Sequence, residues 1–97
     1  MITQKELKEW LVYDKFKGEF LWKKRPANNK GIVGDIAGTH QNEGYIFISL
    51  NGKKELAHRL AFLYEEGEIP RFVKFKDGNK HNIKFDNLID KDKENEK

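Results

Sequence analysis

Hydrophobic positions along this chain change period several times, and the changes divide it into short elements. Thr3 followed by Glu6 has the form of a capping box. Behind it Leu7, Trp10 and Leu11 fall at i, i+3 and i+4, so a helix is predicted that ends near Val12. Asp14 to Gly18 reads as a turn. Glu19 to Lys24, with Phe20 and Trp22 on one side, reads as a short strand. Arg25 to Gly31 is a polar loop, and Val33 to Thr39, with two glycines, is a bent strand. Gly44 to Leu50 alternates most cleanly: Tyr45, Phe47 and Ser49 on one face, Ile46, Ile48 and Leu50 on the other. Asn51-Gly52 is a strong hairpin signal, and Lys53 to Leu56 returns as the partner strand.

The period then lengthens. Ala57 to Glu66 is a helix with Leu60, Leu63 and Tyr64 stacked beside Ala61, stopped by Gly67 and kept from resuming by Pro70. Arg71 to Lys76 alternates Phe72 and Lys74 against Val73 and Phe75. Asp77-Gly78-Asn79 makes a turn and Asn82 to Leu88 returns to ordered structure. Asp90 to Lys97 has no apolar residue and reads as a charged tail. The sum is an α+β fold: an N-terminal helix, a small antiparallel sheet, a central helix and a C-terminal hairpin. One domain over residues 1–90 and a tail over 91–97 are expected from 97 residues. Trp10, Trp22, Phe62 and Phe72 are assigned to the core, because only 37% of residues are hydrophobic and the rings must supply much of the buried area.

Composition narrows the function. There is no cysteine, which excludes disulfides and thiolate metal sites and fits a reducing compartment. No apolar run approaches the roughly 20 residues that span a bilayer. The start, Met-Ile-Thr-Gln-Lys-Glu, lacks the order of a signal peptide, so a cytoplasmic location and no membrane partner are expected. The net charge is +3, unevenly placed: residues 15–30 hold six basic groups and one acid, residues 71–84 five and one, and residues 61–70 three acids and no base. Two basic segments form a sided field only if they meet in space. Lys23, Lys24 and Arg25 are either a solvated strand end or a phosphate clamp. Lys53 and Lys54 are either an ordinary charged hairpin tip or a contact surface. Arg59, Arg71, Lys74, Lys76, Lys80 and Lys84 complete the basic candidates for nucleic acid or a partner. Glu65, Glu66 and Glu68 read as a solvated helix end or as a surface for a basic partner.

The order of the motifs resembles the small phage and mobile-element HNH endonucleases. The resemblance runs from Tyr13-Asp14 and Gly18 through Gly34-Asp35-Ile36-Ala37-Gly38, Gly44-Tyr45 and Asn51-Gly52-Lys53. It continues into Ala57-His58-Arg59-Leu60-Ala61, Asp77-Gly78-Asn79, Asn82 and Asp86-Asn87-Leu88. It implies a ββα core near the C-terminus, in which an Asp-His pair ends the first strand. The Asp helps to hold a divalent cation, usually magnesium, and the His takes the proton of the attacking water. Set by the Asp77-Gly78-Asn79 turn, those two positions hold Lys74 and Phe75. Phe75 cannot accept a proton and Lys74 brings a positive charge to the cation's place, and general base and metal are each worth orders of magnitude in rate. The closing helix offers only Asn95, one residue out of step, as a further ligand. No metal, no cofactor and no hydrolysis are therefore expected.

His58, a recurring part of the family's pattern, and His81, in the basic loop, are the rescue candidates for catalysis. The competing readings are a buried, hydrogen-bonded imidazole for His58 and a solvated or phosphate-facing one for His81. His40 shows no signal. Residues 44–66 are also similar to the sheet-type DNA readers of the plant ethylene-response-factor family. That likeness implies Tyr45, Phe47, Ser49 and Lys54 as groove contacts, and Tyr45 and Phe47 serve equally well as core. Three function classes stay open. The first is an inactive nuclease-like module that binds double-stranded DNA, the changed pair holding phosphate by charge. The second is a counter-defence inhibitor of the anti-CRISPR type, docking onto a host nucleic-acid-processing protein complex. The third is a nuclease with a rearranged site.

Overall fold

The structure, a computed structural model, describes residues 2–24, 32–40, 44–50 and 52–91. The loop at Arg25, Asn51 of the hairpin tip, Asn95 and the rest of the tail from residue 92 lie outside the described residues. The element order is α1 (Gln4–Trp10), β1 (Leu11–Asp14), β2 (Glu19–Trp22), β3 (Ile36–Ala37), β4 (Thr39–His40), β5 (Ile46–Leu50), β6 (Lys53–Leu56), α2 (Ala57–Glu66), β7 (Val73–Phe75), a 3-10 turn (Phe85–Asn87) and β8 (Leu88–Asp90). Strands run antiparallel in three small sheets, β1-β2-β3, β4-β5-β6 and β7-β8, so the fold is α+β.

Local chemistry sets the helix ends. The Thr3 hydroxyl accepts from the Glu6 backbone N–H at 3.1 Å, meeting one of the donors that a helix start leaves open. α1 stops at Trp10, not near Val12. Leu11 is already extended, with φ −134° and ψ 151°, because β1 pairs along its length with β2 from Leu11↔Trp22 to Asp14↔Glu19. The strand still buries Leu11 beside Leu7, so the i, i+4 pair meets without a shared helix. α2 has the expected bounds and ends on Gly67 at φ 82°.

The glycine-rich stretch after residue 33 is not one bent strand. Ile36–Ala37 pairs with β2 in the first sheet, and Thr39–His40 pairs with β5 in the second. Gly38 turns the corner at φ 122°, where a side chain would also press Ile46 Cγ2 at 2.9 Å. The β5–β6 register Leu50↔Lys53 leaves a two-residue connection, as Asn-Gly implies.

The core joins α1, the faces of the first two sheets and α2. Leu7, Leu11, Phe20, Ile48 and Leu60 are its most completely buried large side chains. Trp22 and Phe62 are buried and Trp10 packs at the edge. Phe72 is not core: it is 58% exposed, since it shares strand parity with exposed Lys74 while Phe75 faces inward. Among the described residues no helix is long and apolar enough to cross a membrane.

Candidate functional site

The β7–β8 hairpin is held by a network around Asp77. Its carboxylate accepts from the Asn79 backbone N–H at 2.8 Å, from Asn82 Nδ2 at 2.8 Å and from Asn87 Nδ2 at 2.9 Å. Asn87 is buried; its Oδ1 accepts from the Asp77 backbone N–H and its Nδ2 also donates to the Asn82 carbonyl. These bonds, the Asn82 amide first, hold the Asp77 carboxyl below its ordinary value. The Asp-Gly-Asn turn therefore spends its carboxylate on shaping the loop. The β7–β8 pairing Phe75↔Leu88 and Lys74↔Ile89 then fixes which way positions 74 and 75 face.

Phe75 points inward. Its ring centroid lies 5.1 Å from His58 on α2 and 6.0 Å from Tyr45 just before β5, and Tyr45 lies 4.8 Å from His58. His58 is 6% exposed and its Nδ1 has no hydrogen-bond partner among the described residues. Burial, with Arg59 as the lesser cause, lowers its pKa to about 4, so the ring is neutral at pH 7. His58 is thus buried, as one reading expected, and its Nδ1 makes no hydrogen bond among the described residues. Its Nδ1 is closed to solvent, so that nitrogen does not reach a water within the roughly 3 Å a base requires.

Tyr45 keeps the alternation with Phe47 and Ser49, opposite buried Ile46, Ile48 and Leu50, and is 37% exposed. It precedes β5, and its ring turns to His58 and Phe75 with the Lys80 ammonium 5.2 Å from its centroid. Phe47 and Ser49 share the outward face with Lys54, which is paired opposite Ser49 and sits 5.7 Å over the Phe47 ring. His81, half-buried, donates its backbone N–H to Asn79 Oδ1 and packs edge-on against His40 of β4 at 4.9 Å. Sequence reading missed His40, because 41 positions separate the pair and neither lies in a periodic run.

The remaining basic candidates divide into groups. Lys23 donates to the Lys8 carbonyl, and Lys24 lies 3.7 Å from the Glu9 carboxylate and over the Trp10 ring, so both are tied to α1. Arg59 reaches the Arg71 carbonyl at 3.5 Å, which brings those two arginines together. Lys53, Lys74, Lys76 and Lys84 are exposed. The two basic segments meet at one end: the Phe85 N–H donates to the Lys15 carbonyl, and Gly18 packs on the Lys84 backbone. Acids share that contact, with Glu65 3.9 Å from Lys15. Burial, and then Glu65, Asp14 and Asp86, also raise the Tyr13 hydroxyl, which donates to the Ile83 carbonyl.

The divalent cation implied by the resemblance does not fit the residues present. Phe75 has no donor atom and Lys74 is itself a cation. Among the described residues no group of three or more His, Cys, Asp or Glu is placed to hold a metal. The closing helix that would follow β8 falls outside the described residues.

Comparison with known proteins places this hairpin. Residues 55–95 match the family model described as HNH endonuclease, a span that takes in α2, the Asp77 turn and β8. No curated protein and no solved structure matches the chain. The similarity to HNH endonucleases is thus carried by this C-terminal segment, which holds His58, Asp77-Gly78-Asn79 and Asp86-Asn87-Leu88.

Proposed function

We propose that the protein is an HNH-type domain that binds nucleic acid without cutting it. One observation carries this reading. The position where the family keeps its general base holds Phe75, buried against His58 and Tyr45 and without any atom that accepts a proton. Its neighbour, where an anionic cation ligand is expected, is Lys74. A charge that would repel a metal can hold a phosphate directly. Lys74 and Lys76 flank Phe75 on the exposed side, Lys80 lies close by over Tyr45, and Lys54 over Phe47 extends basic and aromatic surface onto the second sheet. Duplex DNA is the proposed ligand, and no cofactor takes part. The double substitution Lys74→Glu and Lys76→Glu tests this. It should abolish a duplex gel shift while the circular dichroism spectrum stays unchanged; unaltered binding would sink the idea.

A second reading has its own support. Ile32, Val33 and Ile36 are all more than half exposed beside β3, an apolar surface suited to a protein partner. Under it the domain docks onto a host nucleic-acid-processing complex as a counter-defence inhibitor. The two readings separate by salt: phosphate contacts lose affinity steeply as salt rises, and an apolar protein interface does not. Catalysis through His58 or His81 has no such support, since the first is closed to solvent at Nδ1 and the second packs against His40.

A further inference from the structure

We propose that His40 and His81 form a site for a borderline-soft divalent cation of the zinc type, which ties the β7–β8 connection to the edge of the β4-β5-β6 sheet. The two rings lie 4.9 Å apart between centroids, with planes at 88°. Two imidazoles bound to one tetrahedral zinc at about 2.0–2.1 Å per nitrogen hold their centroids roughly 5 Å apart. The centroid spacing matches that of a shared cation, and the rings, now packed edge-on, would turn to present one nitrogen each.

Both backbones are already fixed. His40 is paired with Ile46 on an edge strand. The His81 N–H is held by Asn79 Oδ1 at 2.9 Å, in the loop that Asp77, Asn82 and Asn87 lock. Neutral imidazole selects zinc, copper or nickel over magnesium. A cation takes one nitrogen of each ring and leaves the other N–H to donate a hydrogen bond. Among the described residues no further His, Cys, Asp or Glu completes a group of three, so water fills the other positions and the cation exchanges readily. His40 is exposed and His81 half-buried, which leaves room for those waters. The two histidines are different residues from those at positions 74 and 75, where the family's own cation would lie.

The test is thermal unfolding of the full chain with zinc chloride or magnesium chloride, for the wild type, His40→Ala and His81→Ala. Zinc at tenfold over its Kd should raise the wild-type Tm by about 5–10 °C. Magnesium should not, and either substitution should remove the effect while leaving the metal-free Tm close to wild type. In the same titration the ring nitrogen resonances of His40 and His81 should shift and those of His58 should not. No zinc-dependent rise, a rise retained in either variant, or a shift of His58 instead would overturn the proposal. The readout involves no nucleic acid, so its failure is separate from failure of the nucleic-acid reading.

Discussion

At the scale of single residues, one contact decides the character of the site: the Phe75 ring against the His58 imidazole, with Tyr45 completing the stack. A neutral imidazole with one unbonded nitrogen is retained in an apolar setting that penalises its charged form. The consequence for stability has a definite sign. The unfolded chain takes up a proton on this ring near 6.5, and the folded chain only near 4, so stability is fully present above 6.5 and falls as the pH drops toward 4. The gap between those two values is worth roughly 3 kcal/mol. Denaturant midpoints measured across that window should show the fall. His58→Phe should flatten that part of the profile and leave stability at pH 7 within about 1 kcal/mol, because an apolar ring of similar size replaces an unsatisfied polar one. A pH slope unchanged by the substitution would mean that another group titrates there.

At the scale of elements, the loops are set by close approaches. Gly18 sits at φ 69° with the Lys84 backbone nitrogen 2.5 Å from where a Cβ would stand. Gly18→Ala should therefore destabilise by about 2 kcal/mol or more, read as a lowered Tm, by adding a clash to the αL penalty. Asn87→Leu should cost about 2 kcal/mol, since it strips a buried partner from the Asp77 N–H and the Asn82 carbonyl. Much at this scale was legible in the sequence. Thr3 and Glu6 marked the first helix, Gly67 closed the second, and Asn-Gly set the β5–β6 register, because each acts on its own neighbours. What was not legible depended on partners far along the chain. Leu11 fits a helical face, yet the ladder with Trp22 draws it into a strand. Gly38 divides one apparent strand between two sheets. Phe72 could have been placed from its parity with Lys74; weighing its size over its alternation put it wrongly in the core. The candidate site was legible as positions, Lys74 and Phe75 against the Asp77 turn. It was not legible as geometry, because the approaches of His58 to Tyr45 and of His40 to His81 are tertiary.

At the scale of the whole molecule, residues 57–91, within the span that matches the HNH endonuclease model, are built onto two small sheets and an N-terminal helix. Basic side chains lie exposed on the hairpin and on β6, and among the described residues the two basic segments meet where Lys15 and Gly18 approach Lys84 and Phe85, with Glu65 beside Lys15. The proposed ligand contact therefore centres on the hairpin and the second sheet, and Lys23 and Lys24, tied to α1, contribute little to it. Substituting that pair by Ala should change duplex affinity far less than substituting Lys74 and Lys76, which a titration of labelled duplex would show. The central claim, binding without hydrolysis, has one direct measurement. The purified protein is incubated with labelled duplex DNA, with and without magnesium or manganese, and cleavage and gel shift are followed on the same samples. The structure of the site predicts a salt-sensitive shift and intact DNA under every metal condition. Metal-dependent cleavage that persists through further purification would contradict it.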